Sequence, residues 1–391
     1  MVRITNAIKF LFKIILFKLV VFIAILGFVV YRPIPERLYS NRPDEFTKSL
    51  TAWDSSYYVA LCEKGYIKPS DKQYPDNIAY FSFYPAYSVI LCSYKLIDKS
   101  ENIFDRFYWF ILIQSVIFIL FCYSLKFYLD KLYSNSRLKE YIFWSFLVFP
   151  ASWFLHPVYT EGLYISVLLL FLAVDSTRKK SFLALMLGFV RINALIFGVI
   201  YFLGLLRQKA KPRFVIAGFF AVGTLCLFTF YQIRFGNFWL YFESQRTAFS
   251  RSNTLYSIWR MVKDFFKTEQ WWDTGTEFIK LKEYYGLWWY NPWFTRFFYI
   301  QFPIIFALIG SILLYKKKRY FELAFSVCMF VIPFVGASIS INRFLLQSFP
   351  FILVVSEESY DNKWLKYIVL FVYVAGFIMT LFLFTHGLWA G

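Results

Sequence analysis

Charged side chains are scarce in this chain, and several stand where apolar neighbours make a charge expensive. Asp54 lies in the string Ala52-Trp-Asp-Ser-Ser-Tyr-Tyr-Val-Ala-Leu-Cys-Glu-Lys-Gly-Tyr66. A helical wheel gathers Trp53, Tyr57, Ala60 and Leu61 on one face, which predicts an interfacial helix beginning at Asp54. A carboxylate there is either an N-cap or a general base, and taken alone the string favours the cap. Glu161 falls in a second string, Phe149-Pro-Ala-Ser-Trp-Phe-Leu-His-Pro-Val-Tyr-Thr-Glu-Gly-Leu163, together with His156 and Tyr159. Arg191 and Asn193 interrupt an apolar run at 182–206, and a charge in such a run is functional by default. Arg343, beside Asn342, and Arg246, beside Gln245, are weaker instances. No His or Asp spacing suits a metal ion, so neither a metal nor another cofactor is expected.

These groups need elements to hold them, and the composition says which kind. Of 391 residues, 59% are hydrophobic, 24% aromatic and only 17% charged. A soluble domain runs near half apolar and about a quarter charged, so a soluble globular protein and a disordered one are both excluded. The net charge is +18, from 42 Lys and Arg against 24 Asp and Glu. The basic residues sit in short tracts between apolar runs: Arg178-Lys179-Lys180, Arg207 to Arg213, and Lys316 to Arg319. That is the pattern of cytoplasmic loops rather than of a nucleic-acid surface. The five cysteines (Cys62, Cys92, Cys122, Cys226, Cys328) are odd in number and scattered. They read as buried small hydrophobes, with no zinc site and no disulfide framework. Residues 3–30 begin like a signal peptide, but Lys9, Lys13 and Lys18 interrupt the run and no small-residue cleavage site follows. They are expected to form a first helix with a cytoplasmic N-terminus.

Topology follows from the basic tracts. Apolar segments lie at about 14–31, 79–97, 107–128, 140–155, 163–175, 182–206, 213–234, 297–315, 320–338, 343–356 and 364–386. If 79–97 crossed the membrane, the basic loop 129–139 would be external; with Pro85 inside it, the segment is expected to lie on the outer face. The run 182–206 has basic flanks on both sides, so it must return, turning at Arg191-Ile-Asn193. The expectation is a single all-α polytopic domain over 1–391, with about 11 transmembrane helices, N-terminus inside and C-terminus outside. Three hairpins, 140–175, 182–206 and 320–356, have helices too short to cross a core of roughly 30 Å. Their polar tips predict a wet depression on the outer face. Two long external segments, 31–106 with interfacial helices and the Trp-rich 235–296, are placed to cover it.

The strings resemble those of the PIG-V mannosyltransferases, the GPI mannosyltransferase 2 family within the GT-C superfamily of membrane glycosyltransferases. A His-Trp-Asp…Tyr…Ile-Ala…Gly-Tyr motif of that family is similar to Trp53-Asp54…Tyr58…Ala60…Gly65-Tyr66. Its Phe-Phe-Pro-Leu-Tyr-Pro is loosely matched by Phe81-Ser-Phe-Tyr84-Pro-Ala-Tyr, and its Asn-Pro-Ala…Tyr-Thr-Glu-Ser by Phe149-Pro150-Ala151…Tyr159-Thr160-Glu161-Gly162. Arg191-Ile-Asn193-Ala stands for its Arg-Ser-Asn-Gly, while Phe242-Glu-Ser-Gln245-Arg246 and Asn342-Arg343-Phe-Leu-Leu-Gln-Ser-Phe-Pro350 resemble later segments. Ala52, Gly162 and Ala194 depart from the family residues.

The resemblance implies a GT-C-like fold and inverting transfer of a mannosyl or other hexosyl residue. The donor would be a polyprenyl-phosphate sugar and the acceptor a hydroxyl on a glycan or glycolipid. It turns the reading of Asp54 from cap to base, with Glu161 as a second acid. Arg191, Arg343 and Arg246 become ligands of the donor phosphate, a buried pair with Glu161 being the alternative for Arg191. Trp53, Tyr57, Tyr84, His156, Tyr159, Asn193 and Gln245 would line the sugar and acceptor sites, although a lone His is more often structural. The competing class is a flippase or exporter of polyprenyl-linked sugars, which has no use for an external carboxylate at a helix start. The short length and a composition rich in Phe, Ile, Lys and Tyr point to a prokaryotic plasma membrane rather than endoplasmic reticulum, with the site on the external face.

Overall fold

The computed structural model describes residues 2–31, 44–66, 77–98, 103–207, 214–248, 301–336 and 341–385. The Trp-rich stretch 271–293 lies outside them. Among the described residues the chain is all-helical, without strands. Among these residues four helices are long and apolar enough to cross a bilayer: Thr5–Val30, Arg106–Leu132, Phe214–Phe235 and Lys363–Thr385. They lie within α1 (Val2–Tyr31), α5 (Ile103–Leu132), α10 (Phe214–Phe235) and α16 (Lys363–Thr385). The chain thus has the character of an α-helical membrane protein.

Among the described residues between α1 and α5 the helices are short: α2 (Glu45–Leu50), α3 (Ser55–Lys64) and α4 (Pro85–Leu91). Asp44 caps α2 through a capping box with Thr47. The 79–97 run is broken where Pro85 starts α4, between 3-10 turns at Asn77–Ser82 and Cys92–Leu96. No piece of it is long enough to span.

The reading of the cysteines is corrected here. Cys62 at the end of α3 and Cys92 after α4 form a disulfide, with Cα atoms 5.4 Å apart. The two are separated by 30 residues, and no spacing rule connects them; only the side-by-side packing of α3 and α4, with Tyr58 against Tyr87 and Cys62 against Cys92, does.

The shorter helices return in pairs. α6 (Ser136–Leu147), capped by Asn135, leads through a 3-10 turn at Pro150–Leu155 to α7 (Glu161–Ala173). The chain then rises through α8 (Thr177–Val190) and descends through α9 (Asn193–Arg207). The reversal at Arg191-Ile192 is visible in the packing. Near the end of α7, the Phe171 ring meets Lys180 of α8 at 5.4 Å and Phe197 and Tyr201 of α9 at 5.6 and 5.1 Å. One ring can touch both helices only if they run back side by side. At about 20 Å, a helix the length of α7 falls short of a bilayer core. After α11 (Leu240–Ala248) and α12 (Phe302–Lys316), α13 (Tyr320–Gly336) rises to α14 (Ile341–Gln347), and α15 (Pro350–Tyr360) returns to α16.

The lower turns gather at one basic end. Lys317 and Arg319 bind Glu357 at 3.0 and 2.9 Å, Tyr133 donates to Glu357 at 2.8 Å, and Lys131 pairs with Asp175. At the other end, irregular backbone between α6 and α7 is satisfied by neighbouring elements, as non-helical chain at membrane depth must be. Gln114 donates to the Leu155 carbonyl at 3.0 Å, Lys18 to the His156 carbonyl at 3.4 Å, and the Val158 amide to the Leu50 carbonyl at 2.9 Å.

α8 and α10 touch backbone to backbone. A Cβ at Gly223 would meet Gly188 and Phe189 backbone atoms at under 3.0 Å, whereas one at Gly218 would meet nothing within 4 Å. Gly223→Ala is therefore expected to destabilise the protein by about 1–3 kcal/mol through overpacking. Gly218→Ala should be neutral or stabilising by up to about 1 kcal/mol, the helix-propensity difference. Thermal unfolding of the two variants in detergent measures the contrast.

Candidate active site

The polar tips of the three hairpins meet at the end opposite the basic turns. Glu161 begins α7, where the helix dipole favours a carboxylate. Arg191 is the extended residue that ends α8, and its guanidinium donates from Nη1 to Glu161 Oε1 at 2.6 Å and to Thr160 Oγ1 at 2.8 Å. Arg343, from α14, donates to the same Glu161 Oε1 from Nε at 2.8 Å and from Nη2 at 2.7 Å. Its Nη1 donates to Asp54 Oδ2. Four charged side chains from four separate segments thus form one chain of ion pairs, Asp54–Arg343–Glu161–Arg191.

Asp54 occupies the N-cap position of α3 but makes no side-chain cap hydrogen bond. The carboxylate has been drawn to Arg343 instead, so local helix capping does not account for it. Its neighbour Trp53 has φ +57°, a left-handed conformation that costs a bulky residue about 1–3 kcal/mol. That turn aims Asp54 away from its helix. α3 is tied to the Glu161 tip one turn later: Tyr58 Oη and Thr160 Oγ1 are 3.2 Å apart. Burial pushes the Tyr58 phenol up to about 12.

Exposure is graded across the cluster. The Glu161 and Arg343 side chains are 0% and 6% exposed, whereas those of Asp54 and Arg191 are 21% and 17% exposed. The floor is dry and the rim is wet. Tyr159 forms the wall beneath Arg343, whose guanidinium carbon lies 4.8 Å from the ring centroid, a cation–π contact. The Tyr159 hydroxyl reaches back to the Ala52 carbonyl at 3.4 Å. Asn193 opens α9 and donates to Gln347 on α14, so a second bond ties the tip at Arg191 to the tip at Arg343.

Other expected site residues sit elsewhere. His156 is buried against Phe118, Trp153 and Phe17, with Nδ1 3.2 Å from Lys18 Nζ. It faces α1 and none of the four ion-paired groups. Tyr57 stacks on Phe83 at 4.6 Å within the first loop. Tyr84 belongs to an aromatic group with Tyr241 and reaches Thr224 at 3.4 Å. Gln245 and Arg246 lie on α11, half-buried and exposed respectively. That helix docks on the first loop through Ser244, whose hydroxyl meets Ser82 Oγ and the Ala79 carbonyl.

Thr160, Tyr58 and Lys18 carry contacts to which the sequence assigned no role. Tyr58 and Thr160 do fall in the strings that carry the resemblance, and Lys18 stands out as a charge in the middle of an apolar run. Among the described residues no group of three or more His, Cys, Asp or Glu side chains could hold a metal ion.

The shared carboxylate has a stability consequence. Glu161→Gln leaves Arg343 on the floor and Arg191 above it without their common anion, and is expected to destabilise by about 3–5 kcal/mol. Asp54→Asn, at the wet rim, should cost less than about 1 kcal/mol. Denaturation midpoints of the two purified variants separate floor from rim.

A scan against protein-family models and a search of curated proteins both find no match for this chain.

Proposed function

We propose that the chain is an inverting GT-C-type glycosyltransferase that moves a mannosyl or other hexosyl residue from a polyprenyl-phosphate donor to a hydroxyl acceptor on a lipid- or envelope-linked glycan. The carrying observation is the convergence of Asp54, Arg343, Glu161 and Arg191 at one end of the helices, with the acid at the rim turned away from its cap. Such transfer needs a carboxylate to take the acceptor proton and fixed positive charge to meet the departing phosphate. Asp54 is the base. As it takes the proton, the acceptor oxygen bonds to C1 and the bond from C1 to the phosphate oxygen breaks. Arg191 and Arg343 hold the phosphate that leaves. Glu161 fixes both guanidiniums, and Tyr159 and Trp53 supply the aromatic wall for the sugar.

We read the fold as about 11 membrane helices in a GT-C-like arrangement, with the basic end cytoplasmic. The acidic rim then faces outward, from the plasma membrane of a prokaryote. The disulfide between Cys62 and Cys92 favours that orientation, because disulfides persist on the oxidising side of a membrane. Cysteine placed at Lys179 or Lys318 should react with an impermeant maleimide only after the cytoplasmic face is opened, and at Lys64 from outside in intact cells. Labelling of all three from one side would end this topology.

The decisive experiment is Asp54→Asn. It keeps the size of a side chain that makes no cap hydrogen bond and removes only its charge, so a role confined to the ion pair at the rim predicts near-normal transfer with a small loss of stability. A general base predicts normal folding with transfer lowered about 10²–10⁴-fold. The assay uses a short polyprenyl-phosphate mannose and an acceptor that the wild type uses. Near-normal transfer by the Asn variant removes Asp54 as the base.

A further inference from the structure

The arrangement that suits Asp54 to be a base also occupies it. Its Oδ2 accepts from Arg343 Nη1, the same guanidinium whose other two nitrogens hold Glu161 Oε1. While that contact stands, the Asp54 oxygen faces a guanidinium rather than an acceptor hydroxyl. Arg343, meanwhile, has only one planar fork of donors with which to meet a phosphate.

Two further observations indicate that the cluster is incomplete. Glu161 Oε1 accepts from three guanidinium nitrogens, while Oε2, equally buried, has no hydrogen-bond partner. Ser55 Oγ, next to Asp54, and Tyr164 Oη, one turn beyond Glu161, are also buried without partners. Buried polar atoms are normally satisfied, and a concentration of unsatisfied ones marks a place for a polar ligand. Glu161 Oε2 can only accept, so it suits a hydroxyl of such a ligand, and the phosphate of the proposed donor has to be met by the guanidiniums. Two carboxylates and two guanidiniums sum to zero, so an anionic ligand enters without excess positive charge to receive it unless one internal pair opens. The pair that can open is at the rim: Asp54 is 21% exposed, whereas Glu161 is fully buried.

We propose that a polyprenyl-linked phosphate displaces Asp54 from Arg343, so that the base is released only when the donor is bound. This rests on the proposed transferase reading for the ligand's identity. A phosphodiester of charge −1 then sits against Arg343 and Arg191, and Asp54 turns to the acceptor. During transfer the acceptor O–H bond breaks with its proton passing to Asp54, the new C1–O bond forms, and the C1–O–P linkage opens to a monoester of charge −2. The carboxylate loses one negative charge as the phosphate gains one, so the charge of the site is constant through the step. In a poorly hydrated floor that constancy matters, because an uncompensated charge there is expensive. Without donor, Arg343 keeps Asp54 paired.

The test measures binding, independent of transfer. The purified full chain in phosphate-free detergent is titrated with farnesyl phosphate, and with farnesol and inorganic phosphate as separate probes of the tail and the anion. If Asp54 competes for Arg343, Asp54→Asn binds farnesyl phosphate at least tenfold tighter than wild type, about 1.4 kcal/mol. Farnesol affinity stays unchanged, and Asp54→Ser, which also removes the charge, gives the same gain. Glu63→Gln, which removes an equal charge from the same helix where Glu63 pairs with Arg106 at 2.7 Å, leaves affinity unchanged. Equal or weaker binding by both Asp54 variants overturns the exchange, as does an equal gain from Glu63→Gln, which would reduce the effect to general repulsion. A gain with inorganic phosphate alone overturns the polyprenyl assignment. A wild type that transfers no sugar while the Asp54 variants gain affinity removes the transferase reading and keeps the exchange. Asp54-dependent transfer without any gain does the reverse.

Discussion

The structure depends on one carboxylate. Glu161 is fully buried where three hairpin tips meet, and its Oε1 accepts from both Arg191 and Arg343. A lone carboxylate at that depth would be costly to bury, and so would either guanidinium. Each is tolerable because the others are present, which makes the approach of α7, α8 and α14 a single cooperative arrangement. Short hairpins that stop below the surface would otherwise leave polar backbone in an apolar setting. Here the polar side chains at the tips satisfy one another instead.

α3 is suspended over this floor by contacts of different kinds. The disulfide fixes its far end to the segment after α4. Tyr58 bonds Thr160 at its middle, and at its start Trp53 takes a left-handed conformation that directs Asp54 to Arg343. Backbone strain of this sort persists only where the surroundings over-determine it, and it concentrates at functional sites. An acid presented by a rigid helix at the wet rim, with its counter-charges anchored in the dry floor, separates the group that must exchange protons from the groups that must not move.

The same principle appears on the far wall in a different role. Lys18, in the middle of α1, is 6% exposed, lies 4.7 and 5.0 Å from the Phe22 and Phe118 ring centroids, and reaches His156 and its carbonyl. It gives the irregular backbone between α6 and α7 a donor from a neighbouring helix. His156 is thereby part of the frame that holds Glu161 in place, and its position in the same string as Glu161 did not reveal that the two side chains face different helices.

Several features were legible in the sequence alone: the membrane character, the helical class, the basic character of the described turns around Lys131 and Lys317 to Arg319, and the reversal at Arg191-Ile-Asn193. Each is a local property. Hydropathy is a sum over a window, and a run with basic flanks on both sides must turn back whatever its neighbours do. The location of costly charges was legible for the same reason, since an arginine in an apolar run is visible without a structure. Only the tertiary structure decided which charges meet. Asp54 and Arg343 are 289 residues apart, and Cys62 finds Cys92 only because α3 and α4 pack together. Those pairings depend on how closely particular helices approach, as where Gly188 lies against Gly223. A property of two surfaces is not contained in the periodicity of either one. Lys18 shows the limit most clearly: its expense was legible, but its partner was not, because the atom that satisfies a buried charge is chosen by the fold.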